Sequence, residues 1–129
     1  MWKGYQAFYK ADILAAVSDI TFARFFAEAE PVHAFVAESG GALVGIVHYI
    51  FHRSTWTDRP TCYLQDLFTT EEARGHGVGR ALIEAVYGRA KEKDASRVYW
   101  LTHETNTTAM ALYDKIADRS GFVQYRKML

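Results

Sequence analysis

The sequence predicts an α/β (α+β) domain in which helices flank a mixed sheet, and three observations predict it. Two β-rich runs, residues 33–38 and 42–51, are separated by the tight-turn sequence Ser39-Gly40-Gly41, the pattern of a hairpin. Residues 61–69, a glycine-rich turn, a helical stretch and residues 97–102 follow in the order of a crossover unit, which makes those two strands parallel neighbours. Val78, Leu82, Val86 and Ala90 recur every four residues with Ile83 beside them, an apolar stripe for packing on that sheet.

Taken in order, the elements are these. Trp2, Tyr5, Phe8 and Tyr9 cover one face of a helix over residues 2–9. A second helix is expected over residues 20–30, capped by Ser18 or Asp19, with Phe22, Phe25 and Phe26 packing inward and Pro31 ending it. The hairpin follows, then a polar loop over residues 52–59. In residues 61–69 the apolar side chains Tyr63, Leu64, Leu67 and Phe68 come in pairs, which points to a buried strand or a bulge. A helix over residues 77–93 carries the stripe, and Val98-Tyr99-Trp100-Leu101 centres the next strand. A shorter helix is expected over residues 107–119, ended by Ser120-Gly121, with a closing strand over residues 122–127.

A chain of 129 residues is enough for one compact domain, and half of its residues are hydrophobic, so a sizeable core can form. Fifteen basic residues balance fifteen acidic ones. A neutral chain lacks the electrostatic footprint of nucleic-acid binding over a broad surface. Cys62 is the single cysteine, expected as a buried, inert thiol. The opening residues lack a signal-peptide pattern, and the longest apolar run, residues 42–51, is far short of a membrane span. A reducing cytoplasm is the expected location.

The turn Arg74-Gly75-His76-Gly77-Val78-Gly79 stands between a strand and a helix. Glycine lets backbone approach an anion, and the first amides of a helix have no internal partners. Those amides and the helix dipole favour negative charge, and Arg74 and Arg80 flank the turn. No Gly-Lys-Ser/Thr follows, so this is not a Walker loop. The glycine spacing also fails the dinucleotide fingerprint. A tight turn with no ligand is the competing reading of the glycines alone.

The same string fits the Gln/Arg-x-x-Gly-x-Gly/Ala signature of the GNAT superfamily of N-acetyltransferases, and Asn106, Tyr113, Lys115 and Gly121-Phe122 resemble that family's downstream motif. The resemblance covers most of residues 33–127. The strings Tyr63-Leu-Gln-Asp-Leu-Phe68 and Tyr99-Trp-Leu-Thr102 look closest to the small histone-and-polyamine acetyltransferase branch. What it implies is a GNAT-like, mostly antiparallel mixed sheet whose parallel pair splays, one domain over residues 1–129, and acetyl-CoA as donor. Main-chain groups of Leu67, Phe68 and Thr69 would pair with the pantetheine arm. The pyrophosphate would sit on the amides of Gly75, His76, Gly77, Val78, Gly79 and Arg80, with Arg74 nearby. Relatives commonly begin with a strand, whereas this chain starts in helix-like sequence. Either that strand is lost, or a neighbouring subunit covers the sheet edge, or the chain is truncated. Polyamine-acetylating relatives carry Glu where this chain has Gln65, and an amide cannot accept the proton.

Acetyl transfer needs a neutral amine, a polarised thioester and a proton for the thiolate. Tyr113 resembles the family's general acid; a phenol, with a reference pKa of about 10, keeps its proton at neutral pH. Asn106 would bond the pantetheine or cap the helix it precedes. Asp66 and Glu104 lie near the C-terminal ends of the splayed strands, and either would serve as base or bind an ammonium group. His103 is a further candidate. The acceptor implied is a small amine or polyamine, with a protein lysine or N-terminus and a non-catalytic acyl-CoA sensor as alternatives. The N-terminal aromatics are core, homodimer-interface or acceptor-pocket residues. His48 and His52, four apart on a strand, share a face but lie too far apart for one metal, and no metal is expected.

Overall fold

The structure, a computed structural model, describes residues 15–27 and 29–129; the helix expected over residues 2–9 lies outside them. Four strands, β1 (Val32–Ser39), β2 (Ala42–His52), β3 (Thr61–Thr69) and β4 (Val98–Tyr99), form one sheet in that order. The first two interfaces are antiparallel and the third is parallel. The helices are α1 (Ala15–Phe26), α2 (Val78–Glu92) and α3 (Thr107–Ile116), and a short 3-10 turn, Glu71–Ala73, precedes the glycines.

The hairpin turn places Gly40 and Gly41 at φ +57° and +80°, the two consecutive positive values that a right-twisted two-residue loop requires. The core lies between α2 and the sheet: Leu82, Ile83, Val86 and Ala90 meet Val47 and Tyr49 of β2 and Cys62 and Leu64 of β3. The predicted stripe is therefore the buried face. Arg59 fastens the far end of α2, its Nε and Nη2 donating to the carbonyls of Asp94 and Ala95 at 3.0 and 2.9 Å.

Five expectations change. The first described helix runs from Ala15 to Phe26, so Ser18 and Asp19 are interior rather than capping. Only Phe25 turns to the sheet; Phe22 and Phe26, one turn apart on another face, are 64% and 76% exposed. The helix carrying Tyr113 stops at Ile116, because Ala117 is extended and Arg119 folds back to fork onto the Asp114 carboxylate at 3.0 and 2.8 Å. Residues 122–127 form no strand; they make no ladder with any described strand, and Phe122 is 89% exposed. The strand expected over residues 97–102 is a ladder at Val98–Tyr99 alone. The reason for that last shortening defines the site.

Candidate active site

Strand β3 pairs with β4 at Cys62↔Val98 and Tyr63↔Tyr99 and nowhere further. One residue beyond Leu64, β3 is bulged. Tyr49 stands opposite Leu64 and His48 opposite Asp66, so Gln65 has no partner on β2. A bulge bends its strand and sharpens the twist, which accounts for the parting of the two chains after Tyr99. The result is a gap of about 340 Å³ lined by Leu64, Gln65, Leu67, Trp100, Thr102 and Tyr113. Past the last paired residue, Leu67, Phe68 and Thr69 have no ladder partner on the β4 side, and Leu67 lines the gap.

Tyr113 approaches from the α2 side. Its ring meets Trp100 edge-on, centroids 5.3 Å apart, and Trp100 leans on Tyr87 of α2. The Tyr87 hydroxyl donates to the carbonyl of Ile116 at 3.0 Å and ties the two helices together. Asp66 belongs to the opposite face. It pairs with His48, whose Nδ1 lies 2.9 Å from Asp66 Oδ2, and Phe25 of α1 covers that imidazole at 4.8 Å. The phenol and the carboxylate thus come from opposite faces of the sheet beside the place where it splits.

The glycine turn stands at one end of the gap. A Cβ built on Gly79 would lie 4.0 Å from both Thr69 Cγ2 and Leu112 Cδ2, so the start of α2 abuts the end of β3 and α3. Gly77 caps α2 at φ +80°, and no side chain bonds the helix start. Arg80 turns down the helix to Glu84, Nε to Oε1 3.0 Å. His76 and Arg74 are exposed beside the glycines. That donor set fits a diphosphate: amides at a helix start without a side-chain cap, and no β-carbon at positions 75, 77 or 79.

Asn106 is at the helix start but does not cap it through its side chain; Nδ2 donates to Thr102 Oγ1 at 3.3 Å. His103 lines the gap, its Nδ1 accepting from the Thr105 amide at 3.3 Å. Glu104 is exposed in the turn before α3, and neither it nor Asp66 is among the gap-lining residues, although Gln65 beside Asp66 is. His52 is engaged elsewhere, with Nδ1 2.8 Å from the Arg53 carbonyl and Nε2 2.8 Å from the Tyr99 hydroxyl. Tyr99 stacks on Tyr63, and burial chiefly raises the pKa of both phenols. Among the described residues no group of three His, Cys, Asp or Glu side chains converges on a metal position.

A splayed parallel pair, a glycine-capped helix at its end and a tyrosine beside the gap define an acyl-CoA-type transferase fold. The chain belongs to the acetyltransferase (GNAT) family, which it matches over residues 2–117. It is 41% identical to the D-amino-acid N-acetyltransferase HPA3 of Saccharomyces cerevisiae, over 98% of this chain and 80% of that protein. With the thialysine N-epsilon-acetyltransferase of Sus scrofa it shares 33% identity, over 73% of this chain and 59% of that one. AAC(6')-Iy, solved with the bisubstrate analog CoA-S-monomethyl-acetylneamine, has the same fold: TM-score 0.79 at 19% identity, over 99% of this chain and 90% of that one. In reaction class the protein is an acetyl-CoA-dependent N-acetyltransferase.

Proposed function

We propose that the protein acetylates the primary amine of a small molecule, an amino acid or polyamine, with Tyr113 as general acid and Asp66 as base. The parting of β3 and β4 after Tyr63↔Tyr99, with Tyr113 lining the gap, carries this reading. Relatives whose names specify D-amino acids and thialysine support the choice of a small amine over a protein.

In this reading the main chain of Leu67, Phe68 and Thr69 pairs with the pantetheine arm as an added strand would. The amides around Gly75, His76, Gly77, Val78, Gly79 and Arg80 hold the pyrophosphate, Arg74 adds positive charge, and Asn106 offers Nδ2 to the arm. Asp66 takes a proton from the substrate ammonium, freeing the nitrogen lone pair to form the bond to the thioester carbon. Tyr113 gives its proton to the sulfur as the carbon–sulfur bond breaks. The second nitrogen proton restores the phenol and Asp66 passes its proton to solvent, so one proton leaves per turnover. Asp66 is preferred to Glu104 because it follows the gap-lining Gln65 on β3 and is held by His48, whereas Glu104 is in an exposed turn. The reading includes a cytoplasmic homodimer, for which the exposed apolar residues Phe122, Val123 and Tyr125 are the support.

The test is thiol release from acetyl-CoA with D- and L-amino acids, thialysine, polyamines and a lysine peptide. Turnover is expected on a free small amine. Turnover on the peptide alone, or tight acetyl-CoA binding with no turnover on any amine, overturns the reading.

A further inference from the structure

His48 and Thr61 are the buried polar side chains among the described residues, and the steps above give His48 no part. It sits on β2 under Phe25 with its side chain 7% exposed, bonded to an Asp66 side chain 14% exposed. An ionised carboxylate only accepts, so Nδ1 carries the proton and donates to Oδ2. Oδ1 has no hydrogen-bond partner among the described residues. No buried side-chain oxygen there lacks one, so Oδ1 keeps contact with solvent. One oxygen is thus held and the other faces solvent.

The rung itself is specific. Continuing the pairing Tyr49↔Leu64 by one residue would set His48 against Gln65; the bulge advances it to Asp66. A largely buried carboxylate is costly unless donors hold its charge, and the imidazole is the donor provided. Ala34 of β1 and Phe25 of α1 bring no charge to the pair. Tyr63 on β3 is a titratable group whose interaction reaches Asp66.

We infer that His48 is a positioning residue for the acetyl transfer: it fixes the Asp66 carboxylate by Oδ2, so that Oδ1 meets the amine. The inference rests on Asp66 as the base. Removing the donor releases Oδ2 and lets the carboxylate turn out of the orientation that the amine needs.

The experiment is the pH profile of kcat/KM for the best amine in the wild type, His48→Leu, His48→Asn and Asp66→Asn, with acetyl-CoA affinity and thermal melting measured beside it. His48→Leu should lose about tenfold or more in kcat/KM across the profile, with acetyl-CoA affinity within about twofold. His48→Asn, whose amide can still donate to Oδ2, should stay within about threefold. A wild-type profile in His48→Leu overturns the inference, as does a loss in His48→Asn equal to that in His48→Leu. If His48→Leu does not fold, His48→Asn decides alone: retained activity supports the inference and a tenfold loss overturns it. Full activity in Asp66→Asn overturns the base assignment itself. An inactive Asp66→Asn beside an unaffected His48→Leu removes only the role of His48.

Discussion

Gly45 lies directly against Leu82: a Cβ built on it would fall 2.8 Å from Leu82 Cδ1 and 2.9 Å from Val78 Cγ1. Both side chains belong to the first turns of α2, the same turns that stand at the end of the gap. The absence of a β-carbon on β2 therefore sets how close the glycine-capped helix comes to the sheet. Leu82 is 4% exposed and cannot swing into solvent, and the β-branched Val78 is stiff at χ1.

Gly45→Ala should consequently destabilise the fold by about 1–3 kcal/mol through overpacking. The stiffer unfolded chain returns about 0.4–1 kcal/mol of that. Urea unfolding measures the difference. A variant more stable than the wild type would mean that α2 is not held where these contacts put it.

Cys62 is fully buried in the core under α2, and burial pushes its thiol up to about 11. A thiol is alkylated as the thiolate, so iodoacetamide at pH 8 should leave Cys62 unmodified in the native protein and modify it promptly in denaturant. The sign for stability follows the same linkage. Because the folded state holds this proton more tightly, its contribution is full below pH 9 and is lost as pH rises toward 11. Rapid native labelling would contradict the burial.

Much of this arrangement was legible in the residues because it is locally encoded. The Gly40-Gly41 turn specifies its own hairpin, and the 78-82-86-90 stripe specifies the face of α2. The glycines at 75, 77 and 79 mark the helix start they cap. What was hidden depends on register. The sequence offers His48 only as a candidate metal ligand with His52, because its partner lies eighteen residues away across a bulge, and the paired apolar pattern of residues 61–69 does not say where the extra residue falls. Nor does local sequence reveal that β4 stops at Tyr99. That follows from the bend in β3, and Trp100 and Leu101 keep their β propensity without a partner to ladder with. For residues 122–127 propensity was again the whole signal, and no strand forms.

Gly77 should be indispensable for the donor. Its φ of +80° is left-handed backbone that a β-branched residue adopts only under strain, and a side chain there would stand before the helix amides. Gly77→Val should weaken acetyl-CoA binding more than about tenfold, with about 1–2 kcal/mol lost in stability. Calorimetric titration with CoA, alongside a melt, separates the two effects. Unchanged affinity in a folded variant would move the pyrophosphate away from this turn.

Tyr113→Phe tests the chemistry with the least disturbance to the scaffold. The ring would keep its edge-on contact with Trp100, so the wall of the gap and the packing against α2 should persist. If the phenol protonates the departing thiolate, kcat should fall by about a hundredfold or more, while KM for acetyl-CoA stays within about twofold. That split is the signature of an interaction made in the transition state rather than in binding. A thiol leaving group tolerates loss of its acid better than an amine would, so an acceptor panel should show the same fractional loss for every amine. A loss that instead varies from amine to amine would place the hydroxyl on the acceptor, and a KM that rises as steeply as kcat falls would place it on the coenzyme.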